Sequence, residues 1–205
     1  MSIKIFVPID STALSLGANE VAAAISKEAQ ARKLDIQIIR NSSRGLFWLE
    51  TLVEVETHQG RIGFGPVNQS DVKSLFDADF INGGKHPLAL GVVADIDWLK
   101  KQERLTFARM GITEPTNIDQ YMAHDGFQGL KKALNLKPEA IVETVTASGL
   151  RGRGGAAFPT GIKWKTVLDT KATQKYIVCN ADEGDSGTYS DRMIMEGDPF
   201  VLIEG

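Results

Sequence analysis

The order in which the hydrophobic period changes over the first 80 residues limits the fold more than any other feature of this 205-residue sequence. Ile3-Lys-Ile5-Phe-Val7 alternates as a strand does. After a polar loop, the run from Ala18 to Ala29 places Val21 and Ile25 on one helical face. Asp35 to Ile39 reads as a second strand. Leu52 to Thr57 and Arg61 to Gly65 flank the turn His58-Gln-Gly60, a hairpin that stops at Pro66. A second helix runs through Asp71 to Phe76 behind the capping candidates Asn68 and Ser70. The order is therefore βα, β, ββα, an α/β pattern.

That order resembles a thioredoxin-like domain. Members of the fold that carry a two-iron cluster need four thiolates on the loops after the first and second strands. Here those loops read Asp10-Ser-Thr-Ala-Leu-Ser and Asn41-Ser-Ser-Arg-Gly, with no cysteine. The whole chain holds one cysteine, Cys179. One thiol makes no internal disulfide and cannot by itself hold zinc or a cluster, so no metal site is expected within the chain.

Composition excludes several classes. With 42% apolar and 24% charged residues the chain is an ordinary globular sequence rather than a disordered one. A net charge of −3 with interspersed signs gives no general field for nucleic acid or an anionic membrane. No apolar stretch approaches the roughly 20 residues of a membrane span, and no signal-peptide pattern opens the chain, so a cytoplasmic location is expected.

Asn82-Gly-Gly-Lys-His-Pro87 is a turn-rich break, which places a domain boundary near residues 80–90 and divides the chain into 1–82 and 83–205. The stretches from Ile96 to Gly111 and from Ile118 to Leu136 read as mixed strand and helix segments. From Pro138 to Ser148, proline in the first turn, an early acid and Gly149 at the end mark a helix.

Five of the thirteen residues in 149–161 are glycine. Glycine removes the Cβ penalty on positive φ and lets successive N–H groups face one concavity, which is how backbone wraps a phosphate. Arg151, Arg153, Lys163 and Lys165 add positive charge, and no acid occurs between residues 151 and 168. The bland alternative is a solvated turn between two elements. Gly152, Gly154 and Ala157 match Gly-x-Gly-x-x-Gly/Ala by letter, but the loop follows a helix rather than a strand and lacks the ribose-binding acid about 20 residues on. A Walker loop is excluded because Gly161-Ile-Lys163-Trp breaks the Gly-Lys-Ser/Thr run.

Lys175-Tyr-Ile-Val-Cys179 reads as a strand that delivers the polar tip Asn180-Ala-Asp182-Glu183-Gly184-Asp185. An amide and three carboxylates suit a flavin rim or ribose hydroxyls, or they form a solvated acidic turn. Cys179 in an apolar strand is expected to be buried and inert. Phe158 and Trp164 either stack on an aromatic cofactor or pin the loop to the core.

Three segments together are highly specific: Ser148-Gly-Leu-Arg-Gly-Arg-Gly-Gly-Ala-Ala-Phe-Pro-Thr-Gly-Ile-Lys-Trp164, Cys179-Asn-Ala-Asp-Glu-Gly-Asp-Ser-Gly-Thr188, and Asp198-Pro-Phe-Val-Leu-Ile-Glu-Gly205. They resemble the FMN- and NADH-binding flavoprotein subunits shared by respiratory NADH dehydrogenase, NAD-reducing hydrogenases and NAD-dependent molybdenum formate dehydrogenases. The resemblance covers roughly residues 103–205. Gln102-Glu-Arg-Leu-Thr-Phe-Ala-Arg-Met-Gly-Ile-Thr113, behind a cysteine-poor thioredoxin-like domain, looks most like the beta subunits of soluble formate dehydrogenases.

The resemblance implies an oxidoreductase module that passes electrons between nicotinamide and iron–sulfur clusters through FMN. It implies that Gly152, Arg153, Gly154 and Gly155 wrap the FMN phosphate and the adjoining nucleotide, with Gly161 also among the cofactor-binding residues. Lys163 would bind FMN, Asn180, Asp182 and Glu183 would hold the isoalloxazine and ribityl side, Asp185 would orient nucleotide, and Phe158 would contact the nicotinamide nucleotide. It further implies NAD as substrate, a four-iron cluster only in a continuation beyond Gly205, and two partners: a molybdenum-containing catalytic subunit and a small 2Fe-2S subunit. The alternatives are the diaphorase subunit of an NAD-reducing hydrogenase or of a complex I-like NADH dehydrogenase, and, in another class, a non-catalytic docking role. Ala157, Asp185 and Thr166 stand where the family more often has glycine, glutamate and an aromatic residue.

Overall fold

The computed structural model describes residues 2–153 and 155–205. Two compact units emerge, one formed by the residues up to His124 with Asp182–Ile203, the other by Asp125–Ala181 with the last two residues.

In the first unit, β1 (Ile3–Phe6) pairs in parallel with β2 (Ile36–Ile39) and antiparallel with β3 (Val53–Thr57). Then β4 (Gly60–Phe64) pairs antiparallel with β3 and with β5 (Ala89–Val92), giving the sheet order β2-β1-β3-β4-β5. Parallel neighbours need a crossover. It is supplied by α1 (Ser11–Ser15) and α2 (Ala18–Ala31), and α3 (Val72–Asp77) follows β4. This is the thioredoxin-like arrangement expected from the residue pattern, with β5 added at the edge.

The helices form for local reasons. The Asp10 carboxylate accepts from the N–H groups of Thr12 and Ala13 and caps α1. In α2, Val21, Ile25 and Ala29 recur at helical spacing and are buried. They pack with Leu75 and Phe76 of α3 and with Ile5, Val53, Val55 and Phe64 of the sheet in one apolar core. Every buried hydrophobic side chain among the described residues lies between Ile5 and Tyr121.

Alternate residues of β3 face the other way, and there Glu54 is buried beside Arg44 and Arg61. The segment around Gly111 covers this side. Arg61 donates to the carbonyls of Gly111 and Ile112, Asn41 donates to the Gly111 carbonyl, and the Gly111 N–H donates to Ser42. Gly111 has φ +76° and no room for a Cβ against Arg44, so its position requires glycine twice over. Short helices α4 (Asp97–Lys100) and α5 (Ile118–Ala123) complete this stretch.

The second unit contains α6 (Gln128–Ala133), α7 (Pro138–Ala147) and α8 (Thr160–Asp169). Residues 175–179, expected as a strand, form none and join no ladder. Tyr176, Ile177 and Val178 are almost fully exposed, and Cys179 is exposed rather than buried. A strand needs a neighbour's donors and acceptors, and no described residue supplies them. The chain then returns to the first unit at Asp182, where α9 (Ser190–Gly197) is followed by α10 (Pro199–Glu204), all but its last residue in that unit. No helix among the described residues is long and apolar enough to cross a membrane.

Candidate functional site

The glycine-rich loop belongs to the second unit. Helix α7 ends at Ser148, and Gly149 takes φ +69°, a left-handed stop. The chain then doubles back. Gly152 N–H donates to the Phe158 carbonyl at 2.8 Å, Thr160 N–H donates to the Leu150 carbonyl at 2.9 Å, and Arg151 bridges antiparallel to Pro159. The Arg151 guanidinium donates to the Ala157 carbonyl at 2.6 Å, which ties down the far side of the loop.

At the tip that remains, Arg153, Gly155, Ala156 and Ala157 are exposed. Gly155 has φ +97° with open space where a side chain would stand. The N–H groups of Gly155 and Ala156 donate to no described group. Gly154 lies outside the described residues.

Beyond the loop, α8 begins with no side-chain cap and no acid in its first turn. Its leading N–H groups carry the positive end of the helix dipole, where anions bind. Lys163 stands one turn in, with its Nζ 5.8 Å from the centre of the half-exposed Phe158 ring. Lys165 is neutralised by Asp169 at 2.9 Å, whereas Arg153 and Lys163 have no carboxylate partner among the described residues. Free N–H groups, a helix N-terminus and two unneutralised cations form a donor set that fits a phosphate monoester such as that of FMN. Gly161 is buried where α8 crosses α7, and a Cβ there would collide with Thr146.

The structure therefore brings Gly152, Arg153, Gly155, Phe158 and Lys163 onto one loop and the helix it feeds. Asn180, also in the second unit, lies on the exposed segment before the acidic tip.

Asp182, Glu183 and Asp185 belong to the first unit. Asp182 and Asp185 are exposed. The carboxylate of Glu183 is already engaged. Its oxygens accept from the N–H groups of Asp191 at 3.3 Å and Arg192 at 3.1 Å and from the Thr188 hydroxyl at 3.1 Å. Glu183 thus caps α9 from seven residues before its first residue. Sequence reading misses this because the usual capping signals lie within one turn of the helix.

Residues 145–205 match the family model described as the Nuo51 FMN-binding domain. The chain is 52% identical over 105 residues to the NADP-reducing hydrogenase subunit HndC of Solidesulfovibrio fructosivorans, covering 51% of this chain and 21% of that protein. It is 53% identical over 89 residues to an NADH-quinone oxidoreductase subunit of Aquifex aeolicus, covering 43% and 21%. This chain therefore spans about a fifth of the length of the curated relatives it matches. Among solved structures, the thioredoxin-like [2Fe-2S] ferredoxin of Aquifex aeolicus superposes on 44% of this chain and 97% of its own, with 18% identity and a TM-score of 0.38. From residue 145 onward, through the glycine loop, α8, the acidic tip and α9, the chain is similar to the Nuo51 FMN-binding domain.

Proposed function

We propose that the chain contributes the phosphate-binding part of an FMN site in a subunit that exchanges electrons with NADH. The observation that carries this reading is the exposed loop tip of Arg153 and Gly155, which leads into the uncapped N-terminus of α8. Bound there, FMN would supply hydride exchange with nicotinamide and one-electron exchange with iron–sulfur clusters.

The residues of this chain bind and orient. Gly152, Gly154 and Gly155 let the backbone approach the phosphate, and Arg153 and Lys163 offset its charge. Phe158 offers a ring face to the nicotinamide nucleotide. Asn180, Asp182 and Asp185 offer hydrogen bonds to the flavin and to nucleotide hydroxyls. Glu183 keeps the acidic tip folded over the start of α9.

The electron donor we propose is formate, oxidised on a molybdenum-containing partner, with a small 2Fe-2S subunit and a four-iron cluster in the same assembly. The cysteine-free thioredoxin-like unit and the sequence of residues 102–113 support this reading. The 52% identity to HndC over 105 residues favours a second donor, hydrogen.

The test is to purify the assembly through this chain and measure NAD⁺ reduction with formate and with hydrogen, and ferricyanide reduction with NADH. Formate-driven NADH formation together with NADH:ferricyanide activity is expected. Hydrogen-driven NADH formation alone would replace the donor, and absence of NADH:ferricyanide activity would remove the flavin reading altogether.

A further inference from the structure

Helix α9 does not stand free: it is held at three heights by loops of the thioredoxin-like fold. Near its start, Arg192 Nη2 donates to Thr12 Oγ1 at 2.8 Å, and its guanidinium lies over the rings of Phe47 and Tyr189 at 5.5 and 4.8 Å. Near its end, Glu196 Oε2 accepts from the N–H of Ser11 at 2.9 Å and from its hydroxyl at 3.1 Å. Gly197 is packed so closely against Met110 and Ser42 that no Cβ fits, and the following Asp198 pairs with Arg109 at 2.7 Å. Met193 lies against Gly45, with its Cε 3.1 Å from where a Cβ would stand.

These contacts come largely from residues 10–12 and 42–47, the loops after β1 and β2. They are the cysteine-free loops at which a two-iron cluster would need its thiolates. One further observation points the same way. Asp10 Oδ2 and Arg192 Nε are both buried without a partner, one an acceptor and the other a donor. Both residues line one small pocket with Ser43, Phe47, Met193, Glu196 and Gly197.

We infer that these loops form the seat of α9, and that Arg192 and Glu196 are positioning residues that fix the turn of residues 182–188 through the cap Glu183 places on the helix. Glu183 hangs on the N–H groups of Asp191 and Arg192, so the position of the turn follows the position of the helix start. The cysteine-free unit thereby serves as a rigid mount for the acidic tip. Its consequence for flavin binding rests on the function proposed above.

The test is amide hydrogen exchange on the subunit as its host produces it, comparing wild type, Glu196→Ala and Glu196→Gln, with FMN affinity measured on the same samples. Glutamine keeps an acceptor for both donors of Ser11 and should behave as a rescue. In Glu196→Ala, loss of hydrogen bonds to a charged acceptor should speed exchange over residues 182–192 by about 10–100-fold. The amides of β1 and β3 should keep their wild-type protection, and FMN affinity should fall about tenfold.

Unchanged exchange over residues 182–192 would overturn the seat, and so would a uniform loss across the sheet. A loosened turn with unaltered FMN affinity would overturn the positioning role. If the wild-type subunit binds no FMN, the proposed function fails, and the exchange result by itself decides the seat.

Discussion

Replacing Glu54 by alanine is expected to lower the stability of the thioredoxin-like unit by about 3–5 kcal/mol, the loss typical of removing one partner from a buried ion pair. The Glu54 side chain is only 1% exposed and holds Arg44 through bonds of 2.5 and 2.8 Å and Arg61 at 3.3 Å. Arg61 cannot swing out to water cheaply. Its guanidinium lies 3.5 Å from the centre of the Phe6 ring and holds the carbonyls of Gly111 and Ile112. Burial already pulls the Arg61 pKa below its ordinary value, with Glu54 acting in the opposite direction. Without Glu54, two part-buried guanidiniums would lose their shared counter-charge, and the segment over the sheet would loosen with them. Urea unfolding of wild type and Glu54→Ala at neutral pH measures the loss. A difference below about 1 kcal/mol would mean that the arginines find water or other partners, as at a surface pair.

The second large effect concerns pH. Glu50 is buried, and desolvation pushes its carboxyl up to about 7, against the opposing hydrogen bonds from Ser43 and the Leu52 N–H. Asp10 and Glu54 nearby add to the upward shift. Desolvation raises Asp10 as well. A carboxyl whose pKa is higher in the folded state binds its proton more tightly there. The stability it contributes is therefore full below about 4.5, the unfolded value, and disappears as pH rises through about 7. A shift of this size corresponds to about 3 kcal/mol. In Glu50→Gln the side chain is neutral at every pH, and it can still accept from Leu52 and donate to Ser43. The variant should therefore be more stable than wild type at pH 8 and nearly equal to it at pH 5. Thermal or urea unfolding at the two pH values gives the comparison. Parallel pH profiles for the two proteins would show that Glu50 is ionised in the folded state throughout.

Much of the fold is legible because each element announces itself locally. The alternation in residues 3–7 and 52–65 and the spacing of Val21 and Ile25 mark strands and a helix before any contact is known. Helix α1 is hidden within its polar loop, although Asp10 before Ser-Thr is an N-cap signal; five residues give too short a period to register. Strand β5 is obscured by the Gly-Gly and Pro87 that precede it, and its alternation makes sense only beside β4. The run 175–179 has strand composition, but composition does not provide a neighbour, so Cys179 is exposed where burial is expected.

The site is legible in the same uneven way. The density of glycine and cations in residues 149–163, on which the proposed phosphate site rests, can be read directly because it is local. The parts played by Gly161 and Glu183 depend on residues elsewhere: Thr146 on the facing helix in one case, the N–H groups of Asp191 and Arg192 in the other. Nothing in a linear spacing reveals such partners.

The central claim, that the loop from Gly152 to Gly155 and the start of α8 hold the phosphate of FMN, is tested most directly by the FMN dissociation constant of the subunit as its host produces it. The measurement compares wild type with the Arg153→Ala/Lys163→Ala double variant by flavin fluorescence after the cofactor has been stripped. Removing each charge-assisted hydrogen bond should weaken binding by about 10–100-fold, so the double variant should retain little flavin. Equal affinities in the two proteins, or no FMN binding by the wild type, would contradict the claim and leave the loop as a turn between α7 and α8.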